Sequence, residues 1–198
     1  MSEIAGFVLA GGRSSRMGES KAGLQLNGKS LLELARDKLA AVTSEIHVVG
    51  KRAELGNEAI EDVYPERGPL GGIHAALSSS SKVELNLMLA VDLPFIETVF
   101  LRYLLKRARE TSATVTLPRV GGGWQPLCAV YRPAFLPAAE KALKQGRNKI
   151  DALFAGLQLC VLEGDELQQA GFLPGIFDNI NTPEEWQKAR QRASMGAE

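Results

Sequence analysis

Short apolar runs alternate with segments of helical spacing along most of the chain, and this alternation limits the fold more than any other feature. Residues 4–10 (IAGFVLA) are predicted to form a first strand, and residues 85–91 (LNLMLAV) are apolar enough to be a central strand buried on both faces. Between such runs, apolar residues recur every three or four positions, as they do along one face of a helix. The pattern predicts an α/β protein of three layers, in which helices flank a largely parallel, Rossmann-like sheet.

The remaining elements follow from the same periodicities and from local capping patterns. Ser30 with Glu33, and Thr182 with Glu185, have the spacing of capping boxes that begin helices. Further strands are predicted at residues 45–50, 113–117, 127–131 and 158–163, and further helices at residues 68–77, 97–110, 134–145 and 149–157. The glycine-rich stretch at residues 120–126 (VGGGWQP) is interpreted as a flexible connection.

Composition excludes several classes of protein. The chain has 198 residues without an internal repeat or an obvious linker, so a single domain over residues 1–198 is expected. Lys plus Arg equal Asp plus Glu at 23 each, and such a balance lacks the basic field of a non-specific nucleic-acid binder. No apolar run is long enough to span a bilayer, so we expect a cytoplasmic protein that binds no membrane. Cys128 and Cys160 lie in apolar runs and are expected to be buried free thiols.

The loop after the first strand is the first candidate site. Residues 9–21 read LAGGRSSRMGESK, and glycines in such a strand-loop-helix unit can present backbone N–H groups to an anion. The loop matches neither GxxxxGK[ST] nor GxGxxG, and a simple surface turn is an alternative. However, Arg13, Arg16 and Lys21 crowd together here, and a bound anion would relieve their mutual repulsion. Phosphate is the natural candidate.

Asp92 follows the strand at residues 85–91 and is the second candidate. Because parallel strands end at the same edge of a sheet, its carboxylate and the loop at residues 9–21 would face one crevice. A carboxylate next to a nucleoside triphosphate is a common Mg²⁺ ligand. Alternatively, Asp92 only caps a turn before Pro94.

Five segments, in order, resemble the molybdenum cofactor guanylyltransferases, a branch of the nucleotidyltransferases that act on nucleoside triphosphates. They are LAGGRSSRMGESK (9–21), IED (60–62), GPLGGI (68–73), VDLPFI (91–96) and FDNINTPEEW (177–186). The resemblance spans most of the chain and implies the Rossmann-like nucleotidyltransferase fold. It also implies a nucleotide-binding part at about residues 1–110 and an acceptor-binding part at about residues 111–198.

The resemblance also implies roles for individual residues. The positions that match the family's nucleotide-binding residues are Leu9, Ala10, Gly11, Gly12, Lys21, Asp62 and Asp92. Lys21 would contact the phosphates, Asp62 would help to bind the guanine nucleotide, and Asp92 would ligate Mg²⁺.

Asn179, Asn181 and Arg147 match positions that the family associates with the pterin. For Asn181 a purely structural alternative exists, since Asn-Thr-Pro before a helix is favourable capping chemistry. For Arg147 the alternative is a solvated helix end. Gln125 stands where the family often has His, and Gln cannot act as an acid or base near neutral pH.

The implied reaction is attack by the molybdopterin phosphate on the α-phosphorus of GTP, with release of pyrophosphate. Arg16 and Lys21 would neutralise the triphosphate, the amides of residues 10–12 would surround it, and Asp92 would hold Mg²⁺. A phosphate nucleophile is already ionised, so no general base is needed, and His47 and His74 are expected to be structural.

Three alternatives remain open at this stage: use of CTP, another acceptor such as a sugar phosphate, and a nucleotide-binding homologue that has lost catalysis. Molybdenum-insertion proteins and molybdoenzyme chaperones are possible partners implied by the resemblance.

Overall fold

The computed structural model describes residues 3–11 and 21–195. The strands in this part of the chain are β1 (Ile4–Leu9), β2 (Gln25–Leu26), β3 (Lys29–Ser30), β4 (Ile46–Val49), β5 (Leu85–Ala90), β6 (Val115–Val120), β7 (Gly123–Trp124), β8 (Cys128–Tyr131) and β9 (Leu159–Glu163). The helices are α1 (Leu31–Ala40), α2 (Arg52–Leu55), α3 (Pro69–Ser79), α4 (Thr98–Arg109), α5 (Leu136–Lys144), α6 (Asp151–Phe154), α7 (Gly164–Gln169) and α8 (Pro183–Met195). None of these helices is long and apolar enough to cross a membrane.

The main sheet has the strand order β4-β1-β5-β8-β6, and β9 pairs with β6 on the side away from β8. β1 is parallel to both β4 and β5, and β6 is parallel to β9. β8 runs antiparallel to its neighbours β5 and β6. Five strands therefore share one direction, and the predicted α/β fold with a largely parallel sheet is confirmed.

The two faces of β1 show how helices cover the sheet. A side-chain carbon placed on Gly6 would lie 3.1 Å from Thr43 Cγ2, just after α1, and 3.3 Å from Leu39. Leu9, three residues further along, points to the opposite face, where its Cδ2 lies 3.8 Å from the corresponding position on Gly72 of α3. The sheet is therefore the middle of three layers, with α1 and α3 on opposite faces.

Both predicted capping boxes are present. The Glu33 amide donates to Ser30 Oγ over 3.2 Å, and the Glu33 carboxylate accepts from the Ser30 amide over 2.7 Å. At α8, the Glu185 amide donates to Thr182 Oγ1 over 3.2 Å, and its carboxylate accepts from the Thr182 amide over 3.1 Å. Each box satisfies donors that a helix start leaves unpaired.

Several predictions for the second half were wrong in detail. Residues 120–126 are not a flexible connection: β7 pairs with the end of β6 through a tight turn at Gly121 and Gly122, whose φ angles are +58° and +77°. Both angles favour glycine, so the glycines specify a hairpin. The helix predicted at residues 149–157 is only α6, and α7 was not predicted. Cys128 is buried as expected, whereas Cys160 is only partly buried.

Candidate functional site

The ends of the neighbouring strands β4, β1 and β5 are joined by backbone hydrogen bonds. The Ala10 amide donates to the Val49 carbonyl over 2.9 Å, and the Val91 amide donates to the Leu9 carbonyl over 3.2 Å. These bonds join the exits of β1, β4 and β5, so the segments that follow them begin side by side. As predicted for a parallel sheet, the loop after β1 and the segment at Asp92 therefore leave the same edge.

Two glycines bring the backbone close together at this edge. A side-chain carbon on Gly50 would lie 3.2 Å from the Gly11 nitrogen and 2.5 Å from Leu55 Cδ1. A larger residue at position 50 would therefore collide with α2 and with the loop after β1. A glycine directly after β4 is therefore needed so that the chain at Ala10 and Gly11 can pass this close.

Lys21, Asp92 and Asn181 form the centre of the site. Lys21 Nζ lies 3.0 Å from Asp92 Oδ2 and donates a hydrogen bond of 2.7 Å to Asn181 Oδ1. The side chains of Lys21 and Asp92 are 18% and 21% exposed, so the ion pair is largely shielded but reachable from solvent. Three segments far apart in sequence thus place a cation, an anion and a neutral amide at one point.

The backbone around each of these residues explains why they meet. Lys21 opens a 3-10 turn in which the Leu24 amide donates to the Lys21 carbonyl over 3.2 Å, and Ala22 of that turn is buried. The Ile180 amide donates to the Asp92 carbonyl over 3.0 Å, which fixes the segment before α8 against the segment after β5.

Asn181 does not cap α8 with its side chain. Thr182 provides that cap, and the Glu185 carboxylate accepts from the Asn181 amide over 2.6 Å. The capping alternative for the Asn181 side chain is therefore wrong, because its Oδ1 accepts from Lys21 instead. Sequence spacing could not reveal a contact across 160 positions, although NINTPEE did indicate a capped helix start at the right place.

Asp62 lies on the other side of the β1 exit. The bridge between Val49 and Ile60 places the Asp62 segment beyond β4, whereas Asp92 follows β5. A side-chain carbon on Gly71 would lie 3.0 Å from Asp62 Oδ2, so the glycine lets α3 pack closely against this carboxylate. Burial raises the pKa of Asp62. Asp62 and Asp92 thus follow segments that lie on opposite sides of the β1 exit.

Of the other predicted site residues that the structure describes, Leu9, Asn179 and Arg147 do not place a side chain at this centre. Leu9 is buried in the core, so it offers the site only its backbone. Asn179 and Arg147 are exposed, and the Arg147 guanidinium bonds to Gln145. Gly12 and Arg16, predicted for the phosphates, lie outside the described residues.

The segment between β7 and β8 lies next to the end of β5, two residues before Asp92. The Ala90 amide donates to the Leu127 carbonyl over 2.9 Å, and the Cys128 amide donates to the Gln125 carbonyl over 3.2 Å. Gln125, which replaces the histidine common in the family that the sequence resembles, therefore belongs to the segment that enters the sheet next to β5. It supplies an amide and no titratable group.

Neither histidine is part of the site. His47, in β4, stacks on Phe7 with the ring centres 5.2 Å apart. His74, in α3, is buried edge-on to Tyr64, and burial lowers its pKa. Both rings contribute to packing, in agreement with the structural roles expected for them.

The donor set at Asp92 fits a divalent cation that arrives with other ligands. Among residues 3–11 and 21–195, no three His, Cys, Asp or Glu side chains cluster as a metal-binding group. Asp92 instead contributes one carboxylate, and the Lys21 ammonium lies beside it. Mg²⁺ keeps several water ligands and takes others from phosphate oxygens, so one carboxylate is sufficient.

The sheet is mostly parallel, and Lys21 and Asp92 form an ion pair at its carboxyl edge. Together these features define the class as a nucleotidyltransferase-type α/β protein. The MobA-like NTP transferase domain model matches residues 6–160. The chain belongs to this family and, within it, to the molybdenum cofactor guanylyltransferases, which confirms the resemblance seen in the sequence.

Individual relatives match over nearly the whole chain. It is 32% identical to a probable molybdenum cofactor guanylyltransferase of Pelotomaculum thermopropionicum, over 98% of this chain and 95% of the relative. It is also 32% identical to the molybdenum cofactor guanylyltransferase of Desulfosudis oleivorans, over 99% and 98%. The crystal structure of molybdopterin-guanine dinucleotide biosynthesis protein A from Archaeoglobus fulgidus is similar with a TM-score of 0.83 and 26% identity, over 96% of this chain and 99% of that one.

Proposed function

We propose that this protein transfers GMP from GTP to the phosphate of molybdopterin and releases pyrophosphate, forming molybdopterin guanine dinucleotide. A phosphate oxygen of the acceptor forms a bond to the α-phosphorus, and the bond from that phosphorus to the bridging oxygen of pyrophosphate breaks. The observation that carries this proposal is the Lys21–Asp92 pair at the joined ends of β4, β1 and β5, in a chain whose relatives are named for this activity.

The strand order suggests how the nucleotide lies. Asp62 and Asp92 flank the exit of β1, so a nucleotide running across that exit would have its base toward Asp62 and its phosphates toward Asp92. Lys21 would bind the phosphates, and the backbone of Ala10 and Gly11 would lie beneath the sugar and α-phosphate. Arg16 and Gly12 complete the proposed phosphate contacts.

Asp92 is the residue we assign to Mg²⁺. The ion would supply positive charge that neutralises the triphosphate as its negative charge shifts to the leaving pyrophosphate. The Asp92 carboxylate would hold that ion, while Lys21 would add a second positive charge beside the phosphates.

We place the acceptor at the carboxyl edge of the sheet, on the side that residues 111–198 form. There Asn179, Asn181 and Arg147 would contact the pterin and its phosphate. This division assigns nucleotide binding to residues 1–110 and acceptor binding to residues 111–198 of one domain. Deprotonation of the acceptor needs no side chain, because a phosphate monoester is already ionised at neutral pH. A glutamine at position 125 is compatible with such a mechanism.

We further propose that the reaction takes place in the cytoplasm, and that molybdenum-insertion proteins or molybdoenzyme chaperones receive the product. Pull-down from a cell extract, with the chain loaded with product and without it, would identify such partners.

The decisive experiment is a panel of GTP, CTP, ATP and UTP, each with Mg²⁺ and molybdopterin, in which pyrophosphate release is measured. We expect release with GTP only. A preference for CTP would show a cytidylyltransferase, and release only when a sugar phosphate replaces molybdopterin would show a different acceptor class. Retention of nucleotide binding without any release would indicate a homologue that has lost catalysis.

A further inference from the structure

Among the described residues, the Lys21 ammonium has two partners of different charge. It contacts the Asp92 carboxylate at 3.0 Å and the Asn181 amide oxygen at 2.7 Å. The first contact is an ion pair, and the second is a hydrogen bond to a neutral acceptor. Loss of the ion pair therefore still leaves the ammonium with one short hydrogen bond.

The ion pair competes with the metal that we assign to Asp92. A carboxylate that already holds an ammonium at 3.0 Å has less negative charge to offer a divalent cation, and the two cations repel each other. Metal and polyphosphate binding would therefore require Lys21 to leave Asp92. Once released, the ammonium is free to meet the phosphates that arrive with the metal.

The position of Asn181 does not depend on what the Asp92 carboxylate binds. Two hydrogen bonds fix its segment: the Ile180 amide donates to the Asp92 carbonyl over 3.0 Å, and the Asn181 amide donates to the Glu185 carboxylate over 2.6 Å. Asn181 Oδ1 can therefore keep its place while Lys21 changes partner. Because the amide is neutral, it retains an ammonium without repelling phosphate as a carboxylate would.

We propose that Asn181 is a positioning residue for the nucleotide: it retains the Lys21 ammonium while Asp92 exchanges Lys21 for a divalent cation, so that Lys21 turns to polyphosphate without leaving the site. The inference rests on the proposed function only in that a divalent cation and polyphosphate share this site. It gives Asn181 a role on the nucleotide side, beyond contact with the pterin.

The first test measures metal binding without nucleotide. Binding of Mn²⁺ alone to the full chain is followed by electron paramagnetic resonance for the wild type and for Lys21→Met. Removing the competing ammonium should tighten Mn²⁺ binding on the order of tenfold. Lys29→Met is the matched control, because Lys29 pairs with Asp37 on the surface, and it should leave Mn²⁺ binding unchanged. Equal or weaker binding by Lys21→Met overturns the exchange.

The second test is a double-mutant cycle with inorganic tripolyphosphate and Mn²⁺, measured by calorimetry. Asn181→Leu should weaken tripolyphosphate binding about tenfold in the wild-type background and have little effect in the Lys21→Met background. Additive effects overturn the positioning role, as does unchanged binding by Asn181→Leu. Asn57→Leu, at an exposed turn, is the control. If Asn181→Leu fails to fold, Asn181→Ala takes its place.

These measurements separate the two proposals. Tripolyphosphate has no base, and no acceptor is present, so the cycle does not depend on the identity of the substrates. If the nucleotide panel fails while the cycle shows coupling, the guanylyl transfer is wrong and the positioning role of Asn181 remains. If the panel shows release with GTP while the cycle shows no coupling, guanylyl transfer is supported and the positioning role of Asn181 is wrong.

Discussion

The amide of Ile180 donates to the backbone carbonyl of Asp92 over 3.0 Å. This bond joins the segment before the last helix to the residue assigned to the metal, and it leaves the Asp92 carboxylate free for other partners. The C-terminal segment is thus held directly against Asp92, although the two residues are far apart in sequence. Changes near residue 180 should therefore affect nucleotide use as well as acceptor use.

Asp92→Asn keeps the shape of the side chain but removes its charge. We expect turnover to fall on the order of a hundredfold or more, because the proposed metal site loses its carboxylate. The free energy of unfolding should change by less than about 1 kcal/mol, since the Lys21 pair is partly exposed. Pyrophosphate release and urea denaturation measure the two effects. Asp37→Asn, on the surface, is the control, and full activity of Asp92→Asn at saturating Mg²⁺ would contradict the assignment.

Thr182→Ala removes the cap of α8. It should lower the free energy of unfolding by about 1 kcal/mol, the usual value of a threonine cap. Because the cap also holds the neighbouring Asn181, the KM for GTP should rise. Ser30→Ala is the matched control: it removes the cap of α1, so it should cost similar stability without changing this KM. Equal KM values for both variants would disprove the link between the cap and the site.

Gly71→Ala tests the packing of α3 against Asp62. The added carbon would lie 3.0 Å from Asp62 Oδ2 and 3.2 Å from the Tyr64 carbonyl, so the Asp62 segment must move. We expect weaker GTP binding in the absence of acceptor, measured by calorimetry. Gly156→Ala has no atom within 4 Å of the added carbon and should bind GTP like the wild type. Wild-type affinity in Gly71→Ala would show that Asp62 does not contribute to nucleotide binding.

The buried ammonium of Lys38 should make the stability of the protein depend on pH. Burial lowers the pKa of Lys38 to about 8, and its ammonium donates to the Pro94 carbonyl. Between pH 8 and the ordinary lysine pKa of 10.5, the unfolded chain binds more protons than the folded one, so this group makes stability rise with pH. Below pH 8 both states are protonated, and the cost of burying the charge is fully present.

Comparison with Lys38→Met isolates this contribution. The free energy of unfolding of the wild type, relative to that of the variant, should rise by about 1–2 kcal/mol between pH 8 and pH 10. Urea denaturation at several pH values provides the measurement, and the difference removes the titrations of groups that Lys38 does not influence. A difference that stays constant with pH would show that Lys38 is protonated throughout.

The sequence predicted those features that depend on local spacing. Capping boxes at Ser30 and Thr182 were visible because each needs only four consecutive residues. The shared edge of the Lys21 loop and Asp92 was predictable because parallel strands have only one carboxyl edge. The hairpin at Gly121 was missed because a run of glycines is compatible with both a loose loop and a tight turn.

Contacts between distant segments were not predictable. The hydrogen bond from Lys21 to Asn181 depends on how α8 packs beside the end of β5, and no local pattern encodes that packing. The same holds for Asp62, which lies against α3 only because Gly71 allows the close approach. The sequence therefore indicated which side chains could act, and the tertiary structure decided which of them meet.

The reversed strand β8 separates the two groups of parallel strands, and the segment at residues 121–127 enters the sheet at the same edge where the other strands leave it. That entry segment lies outside β1, β4 and β5, and it is joined to β5 through the Leu127 carbonyl, which accepts from the Ala90 amide. Under the proposed division of the chain, a graft between residues 121 and 126 would therefore change the acceptor part and leave Lys21 and Asp92 unaltered.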